Sequence, residues 1–211
     1  MEGKMKMMKN NKKGFTLVEL LAVIVILALI MSVAVVSMGS VLETARKNTM
    51  KETAATIIDG VKKQLTLNNK LYNDATTGLD YGSGGAIFYF THSLLDQGAV
   101  DSPMGGTFQI YDGTTTSKIT SSTTTYPVSS IGGGALYYVK NQHPGSGTNK
   151  VKCSNANNQV SFVTVTKNAT TGEYDYKICL TAGTGNYYIK DATYNQLLTS
   201  ANDNTIIVQT A

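Results

Sequence analysis

The chain has 211 residues and a formal net charge of +4, from 18 Lys+Arg against 14 Asp+Glu. The whole excess sits in the first fourteen residues, where five lysines (Lys4, Lys6, Lys9, Lys12, Lys13) face one acid, Glu2; the rest of the chain sums to zero. A generally basic surface for nucleic acid or anionic lipid is thereby excluded, and 15% charged residues with 20 glycines fit neither a coiled coil nor a charged disordered chain.

Residues 20–42 carry no charge. These 23 residues, as a helix, span about 34 Å, enough for a hydrocarbon core of about 30 Å. Backbone groups in lipid must be paired internally, so the stretch is predicted to be helical there. Five lysines precede it, while Glu43 offsets Arg46 beyond it. The positive-inside rule then leaves the N-terminus in the cytoplasm and sends the rest outside. A secretory signal peptide would have a shorter apolar core followed by a small-residue cut site. The nearest such triplet, Ser32-Val33-Ala34, lies inside the apolar run. A plain single-pass anchor leaves Glu19 unexplained. An ionisable residue at the start of a membrane helix is costly and points to function.

Lys12-Lys13-Gly14-Phe15-Thr16-Leu17-Val18-Glu19, with the uncharged helix behind it, resembles the processing motif of type IV prepilins and their pseudopilin relatives. The resemblance covers about residues 9 to 45. It implies that prepilin peptidase, a membrane aspartyl enzyme, cuts between Gly14 and Phe15 and N-methylates the new amine of Phe15. It implies that Thr16 and Glu19 serve assembly. It also implies a type IV pilin-like α+β fold, with a long N-terminal helix, transmembrane in its first half, and a C-terminal antiparallel β-sheet head. The physical logic agrees. The cut keeps the apolar segment, removes five lysines and creates an α-ammonium near Glu19. In a filament that amine can pair with the Glu19 of a neighbour, and leaving either partner alone in low dielectric is strongly penalised. Many pilins kink this helix with proline; here the first proline is Pro103, and Gly39 is the one helix breaker in the segment.

Past the membrane segment, apolar residues recur at Met50, Ala54, Ile57, Ile58, Val61 and Leu65. That spacing marks one face of a helix packed on a sheet. Gly60 weakens it by about 1 kcal/mol relative to Ala, and Asn68-Asn69 is the expected stop. The expected organisation is a leader at 1–14, a membrane and filament-core helix at 15–42, an amphipathic helix at 43–68 and a β-rich head at 69–211. All 12 tyrosines and 16 of the 20 glycines follow residue 70. Residues 73–85 read as a loop and Ser93–Asp96 as a short capped helix. Strands are expected at 86–91, 107–111, 135–140, 159–166, 173–180, 186–190 and 204–209. The turn at Lys167–Gly172 makes 159–180 a hairpin.

Cys153 and Cys179 lie in the part expected outside the cytoplasm, where disulfides persist. The resemblance favours a C-terminal bridge between them; two buried thiols is the alternative. Two cysteines without nearby histidine make no ordinary zinc site. His92 and His143 read as surface loop residues, and no nucleophile elbow accompanies them. Asp191 and Asp203 read as turn residues rather than calcium ligands. Lys140, Lys150, Lys152, Lys167 and Lys177 gather near Tyr137 and Tyr138 as a DNA-binding patch would, but Glu173 and Asp175 dilute them. Thr114–Ser117 and Ser121–Thr125 read as a solvated loop.

The chain therefore reads as a type IV pilus structural subunit, with no catalytic residue, cofactor or metal. It is expected as a single-pass membrane protein, N-in and C-out, and then in an extracellular filament. Its expected partners are prepilin peptidase, other pilin subunits, the assembly platform and its ATPase machinery, and membrane lipid before assembly; nucleic acid is not expected. The alternatives are a minor, tip or competence pilin that binds DNA or a surface ligand, and a pseudopilin of a type II-like secretion system.

Overall fold

The computed structural model describes residues 14–82, 84–95, 101–113, 128–146, 150–154, 159–182, 187–199 and 203–209. The chain divides into two compact units, Met1–Glu43 and Thr44–Ala211. Helix α1, Leu17–Leu67, contributes to both. With the mostly antiparallel sheet that follows it, this is an α+β, pilin-like architecture.

In the first unit, every described side chain of α1 is exposed. α1 is the one helix among the described residues long and apolar enough to cross a membrane. No proline interrupts it.

In the second unit, α1 buries the face that its spacing predicts. Met50, Ala54, Ile57, Ile58, Val61 and Leu65 are fully inaccessible. The helix ends in a Schellman motif. Lys70 N donates to Leu65 O at 2.9 Å, and Asn69 N to Thr66 O at 3.1 Å, with Asn69 at φ 49°. Asparagine tolerates that left-handed conformation better than most residues. Gly60 has a packing reason: a Cβ there would lie 3.1 Å from the Leu94 side chain. Leu94 belongs to the 3-10 helix His92–Leu95.

The sheet has strands β1 (Ala86–Phe90), β2 (Val128–Ile131), β3 (Leu136–Val139), β6 (Phe162–Lys167), β7 (Tyr174–Leu180), β8 (Tyr187–Thr193) and β9 (Ile207–Gln209). Their order is β2-β3-β1-β6-β7-β8-β9, with every neighbouring pair antiparallel. A two-residue parallel pair, β4 (His143–Pro144) with β5 (Lys150–Val151), stands apart. The β6–β7 hairpin turns where Asn168 Oδ1 accepts from the amides of Thr170 and Thr171, at 2.8 and 3.1 Å.

Strand alternation sorts side chains onto two faces. Ala86, Phe88, Phe90, Val163, Val165, Tyr176, Ile178 and Leu180 join the buried face of α1. Ile87, Tyr89, Phe162, Cys179 and Tyr188 form a second core on the opposite face. Hence β1 and the first four residues of β6 are wholly buried, and β6 is the central strand. In β8, Ile189 and Ala192 face the helix side although three residues apart. The β7–β8 register shifts there, and Asp191 has φ 47°. The extra residue of this bulge returns Ala192 to the core. Lys62 Nζ lies 5.4 Å from the centroid of the Tyr176 ring and 5.5 Å from that of Tyr194, a cation–π cradle. Burial pushes the Tyr176 hydroxyl up to about 12.

Four expectations need correction. Residues 107–111 form no strand, because their backbone groups go to different partners: Gln109 N to Thr181 O, Tyr111 N to Phe90 O, and Gln109 O from Ser161 N. Residues 203–206 make a helical turn, α3, so β9 keeps three residues. The segment expected at 186–190 runs on to Thr193, where the chain enters helix α2, Tyr194–Leu197, through a capping box. β2 was not anticipated: Val128-Ser129-Ser130-Ile131 has little apolar pattern and gains its place by pairing with β3. Asp96, Thr114–Ser117 and Ser121–Thr125 lie outside the described residues.

Gly85 has φ +101°, and a Cβ there would lie 2.8 Å from the Val165 carbonyl oxygen. Gly84 has φ +102° with nothing within 4 Å. Positive φ alone costs a non-glycine residue about 1–3 kcal/mol. Gly85→Ala should therefore lower the denaturant midpoint more than Gly84→Ala. Equal midpoints would contradict the close approach of Gly85 to β6.

Candidate processing and assembly site

The first residues of α1 show why the helix begins where it does. Thr16 is the N-cap and Glu19 the N3 residue of a capping box. Glu19 N donates to Thr16 Oγ1 at 3.3 Å, while Thr16 N and Thr16 Oγ1 donate to Glu19 Oε2 at 2.8 and 2.9 Å. The carboxylate also faces the positive end of the helix dipole. Two donors on one oxygen reduce the cost of holding a carboxylate beside apolar surroundings.

Gly14 and Phe15 precede the cap in non-helical backbone, and both are exposed. Phe15 is 88% exposed. Gly14 has no positive φ, and a Cβ on it would meet nothing within 4 Å. Nothing in the described fold therefore demands glycine at 14. The Gly14–Phe15 bond lies outside the helix, and no hydrogen bond of the Thr16–Glu19 box crosses it. Behind it, Leu17, Val18 and Leu20–Ile30 present their side chains outward.

A model of the prokaryotic N-terminal methylation motif matches residues 9–35. The chain carries the prepilin-type cleavage and methylation signal. That signal supports a type IV pilin-like or pseudopilin protein, handled by prepilin peptidase and assembled with other pilins. With one apolar N-terminal helix, it fits a single-pass membrane protein that is later assembled. Neither the curated proteins nor the solved structures contain a match to this chain.

Of the other singled-out residues, the structure brings Cys153 and Cys179 together, sulfur to sulfur at 2.01 Å with Cα atoms 5.6 Å apart. They sit in the core opposite α1 and tie the segment after β5 to β7. The histidines stay apart. His143 Nδ1 lies 2.8 Å from Gly85 O, whereas His92 Nδ1 is buried without a partner among the described residues. Among the described residues no three of His, Cys, Asp and Glu gather as a metal site. Tyr138 is buried, and Tyr137 packs edge-on against Tyr111 at 4.8 Å, so neither ring offers a free stacking platform beside the lysines.

The role of Thr16 as a cap was legible as Thr-x-x-Glu before an apolar run, the sequence signature of a capping box. Resemblance alone had assigned it to assembly. The groove between α1 and α2 had no sequence signal, because it is made by residues about 140 apart.

Replacing Cys153 and Cys179 together by alanine should cost about 3–4 kcal/mol of head stability, the chain-entropy value for a loop of this size. Urea unfolding with and without reductant measures it. An unchanged midpoint would show that the bridge does not hold the segment after β5.

Proposed function

We propose that this chain is a structural subunit of a type IV pilus, made as a prepilin and assembled into an extracellular filament. It acts as a building block rather than an enzyme. The observation that carries the reading is the Thr16–Glu19 box, placed directly after a non-helical, exposed Gly14–Phe15 bond and at the start of an apolar helix.

The chemistry follows from that order. Prepilin peptidase hydrolyses the Gly14–Phe15 amide, giving a carboxylate on Gly14 and an amine on Phe15; that amine then takes a methyl group from a sulfonium donor, which leaves as the neutral thioether. The secondary amine remains a cation. The lysine-rich leader holds the N-terminus at the cytoplasmic side and leaves with the cut. Before assembly, Thr16 supplies Glu19 with hydrogen bonds but no positive charge. The Phe15 ammonium of an incoming subunit supplies the charge, and docking by the platform and its ATPase brings the two together. Breaking such a desolvated pair by removing one partner costs about 3–5 kcal/mol. The pair therefore selects one register among apolar helices that would otherwise slide.

The competence reading asks for a surface that stacks bases. Burial of Tyr138 and the Tyr137–Tyr111 contact weigh against it. A pseudopilin would use the same N-terminal residues in a shorter rod.

Glu19→Ala should be cut and methylated at the parental rate yet lower sheared-filament yield more than tenfold, on the order expected for losing a buried charge pair. Thr16 retains its cap position in that variant, so processing and assembly separate. Parental filament yield from Glu19→Ala would refute the proposed role of the carboxylate.

A further inference from the structure

A filament of identical copies needs two different, complementary surfaces on each copy, because a self-complementary patch closes into a dimer. The folded unit after Thr44 carries such a pair on neighbouring stripes of α1.

One flank borders a groove of about 520 Å³ between α1 and α2. Ala55, Leu197 and Leu198 give it apolar walls; Asn48, Glu52 and Asp59 give it a polar rim. Leu198 is 65% exposed, an apolar side chain that the fold itself does not cover. The groove holds two exposed carboxylates and one cation, Lys51, which is buried. At about 100° per residue, Arg46 lies about 120° around the helix from Glu52, with Thr53 and Thr49 on the stripe between them. Arg46 is exposed. The hydroxyls of Thr49 and Thr53 fold back onto the carbonyls of Ala45 and Thr49, at 3.1 and 3.0 Å. That flank is thus short and smooth with one projecting guanidinium. Further along, Leu94 packs over Gly60 and closes it.

We infer that the groove between α1 and α2 receives the Arg46 flank of a second copy of this chain, with the guanidinium on Glu52. The methylene stem of arginine lies along the apolar wall, as long cationic side chains do elsewhere. Six residues separate Arg46 from Glu52, so the contact asks for neighbouring copies staggered by about 9 Å. The inference rests on the filament reading above.

Charge reversal tests this in the full-length chain in cells that assemble filaments. Arg46→Glu alone and Glu52→Arg alone should each cut sheared-filament yield about tenfold, because like charges then meet at the contact. The double reversal should return to within about twofold of the parent. Both residues are exposed, so head stability stays at the parental value, and the N-terminal peptide stays cut and methylated in every variant. Parental yield from either single reversal, or a double reversal no better than the singles, overturns the contact while leaving processing intact. A parent chain that is never cut or assembled overturns the filament reading and this contact with it.

Discussion

A carboxylate at the head of a helix built to lie in lipid is the constraint from which the rest follows. In the proposed filament subunit, Glu19 has to be ionised to attract an amine, and has to be tolerated by the membrane until one arrives. Thr16 meets the second demand through its amide and hydroxyl, which both donate to Glu19 Oε2. Because those donors come from the N-cap, the arrangement also fixes where the helix starts. The Gly14–Phe15 bond is thereby left outside the helix and exposed. In the proposed reading, one local motif thus sets the helix start, the accessibility of the cut and the poise of the assembly charge.

The folded unit after Thr44 solves a different problem. Its sheet is covered on one face by the amphipathic half of α1 and on the other by segments that carry little regular structure. The first face is held by six fully buried helix side chains. Burial of that kind stabilises by about 1.5–3 kcal/mol for each large apolar side chain. The second face lacks a helix, and there the Cys153–Cys179 link does part of the work that packing does elsewhere. The extracellular placement proposed for the head suits this division, since disulfides persist outside the reducing cytoplasm.

Much of this was legible in the sequence, for identifiable reasons. Met50 to Leu65 are spaced at the helical period and the structure buries all six, because an amphipathic helix has one way to satisfy its apolar face. Val160, Phe162 and Val163 with Val165 mix alternation with a continuous apolar run, as suits a central strand covered on both sides. The misses share another cause. Residues 107–111 looked like a strand, but hydrogen-bond partners from three separate segments break the ladder. Val128–Ile131 drew no assignment, because its place in the sheet comes from pairing with β3, which local pattern does not record. Asp203–Ile206 takes a helical turn, and only the residues from Ile207 on follow the strand that the apolar pair Ile206-Ile207 suggested. Within the site, Gly14, Phe15 and Glu19 stood out by motif. The cap role of Thr16 was readable by spacing, whereas the groove between α1 and α2 exists only once α2 returns to α1.

The account turns on the terminus that meets Glu19. Mass spectrometry of the N-terminal peptide of the mature protein reads that terminus directly. The account predicts a peptide that begins at Phe15 and carries one methyl group on its amine. A mature pool that keeps Lys12-Lys13-Gly14 ahead of Phe15 would contradict it, for then no ammonium exists at Phe15 and Glu19 has nothing to receive.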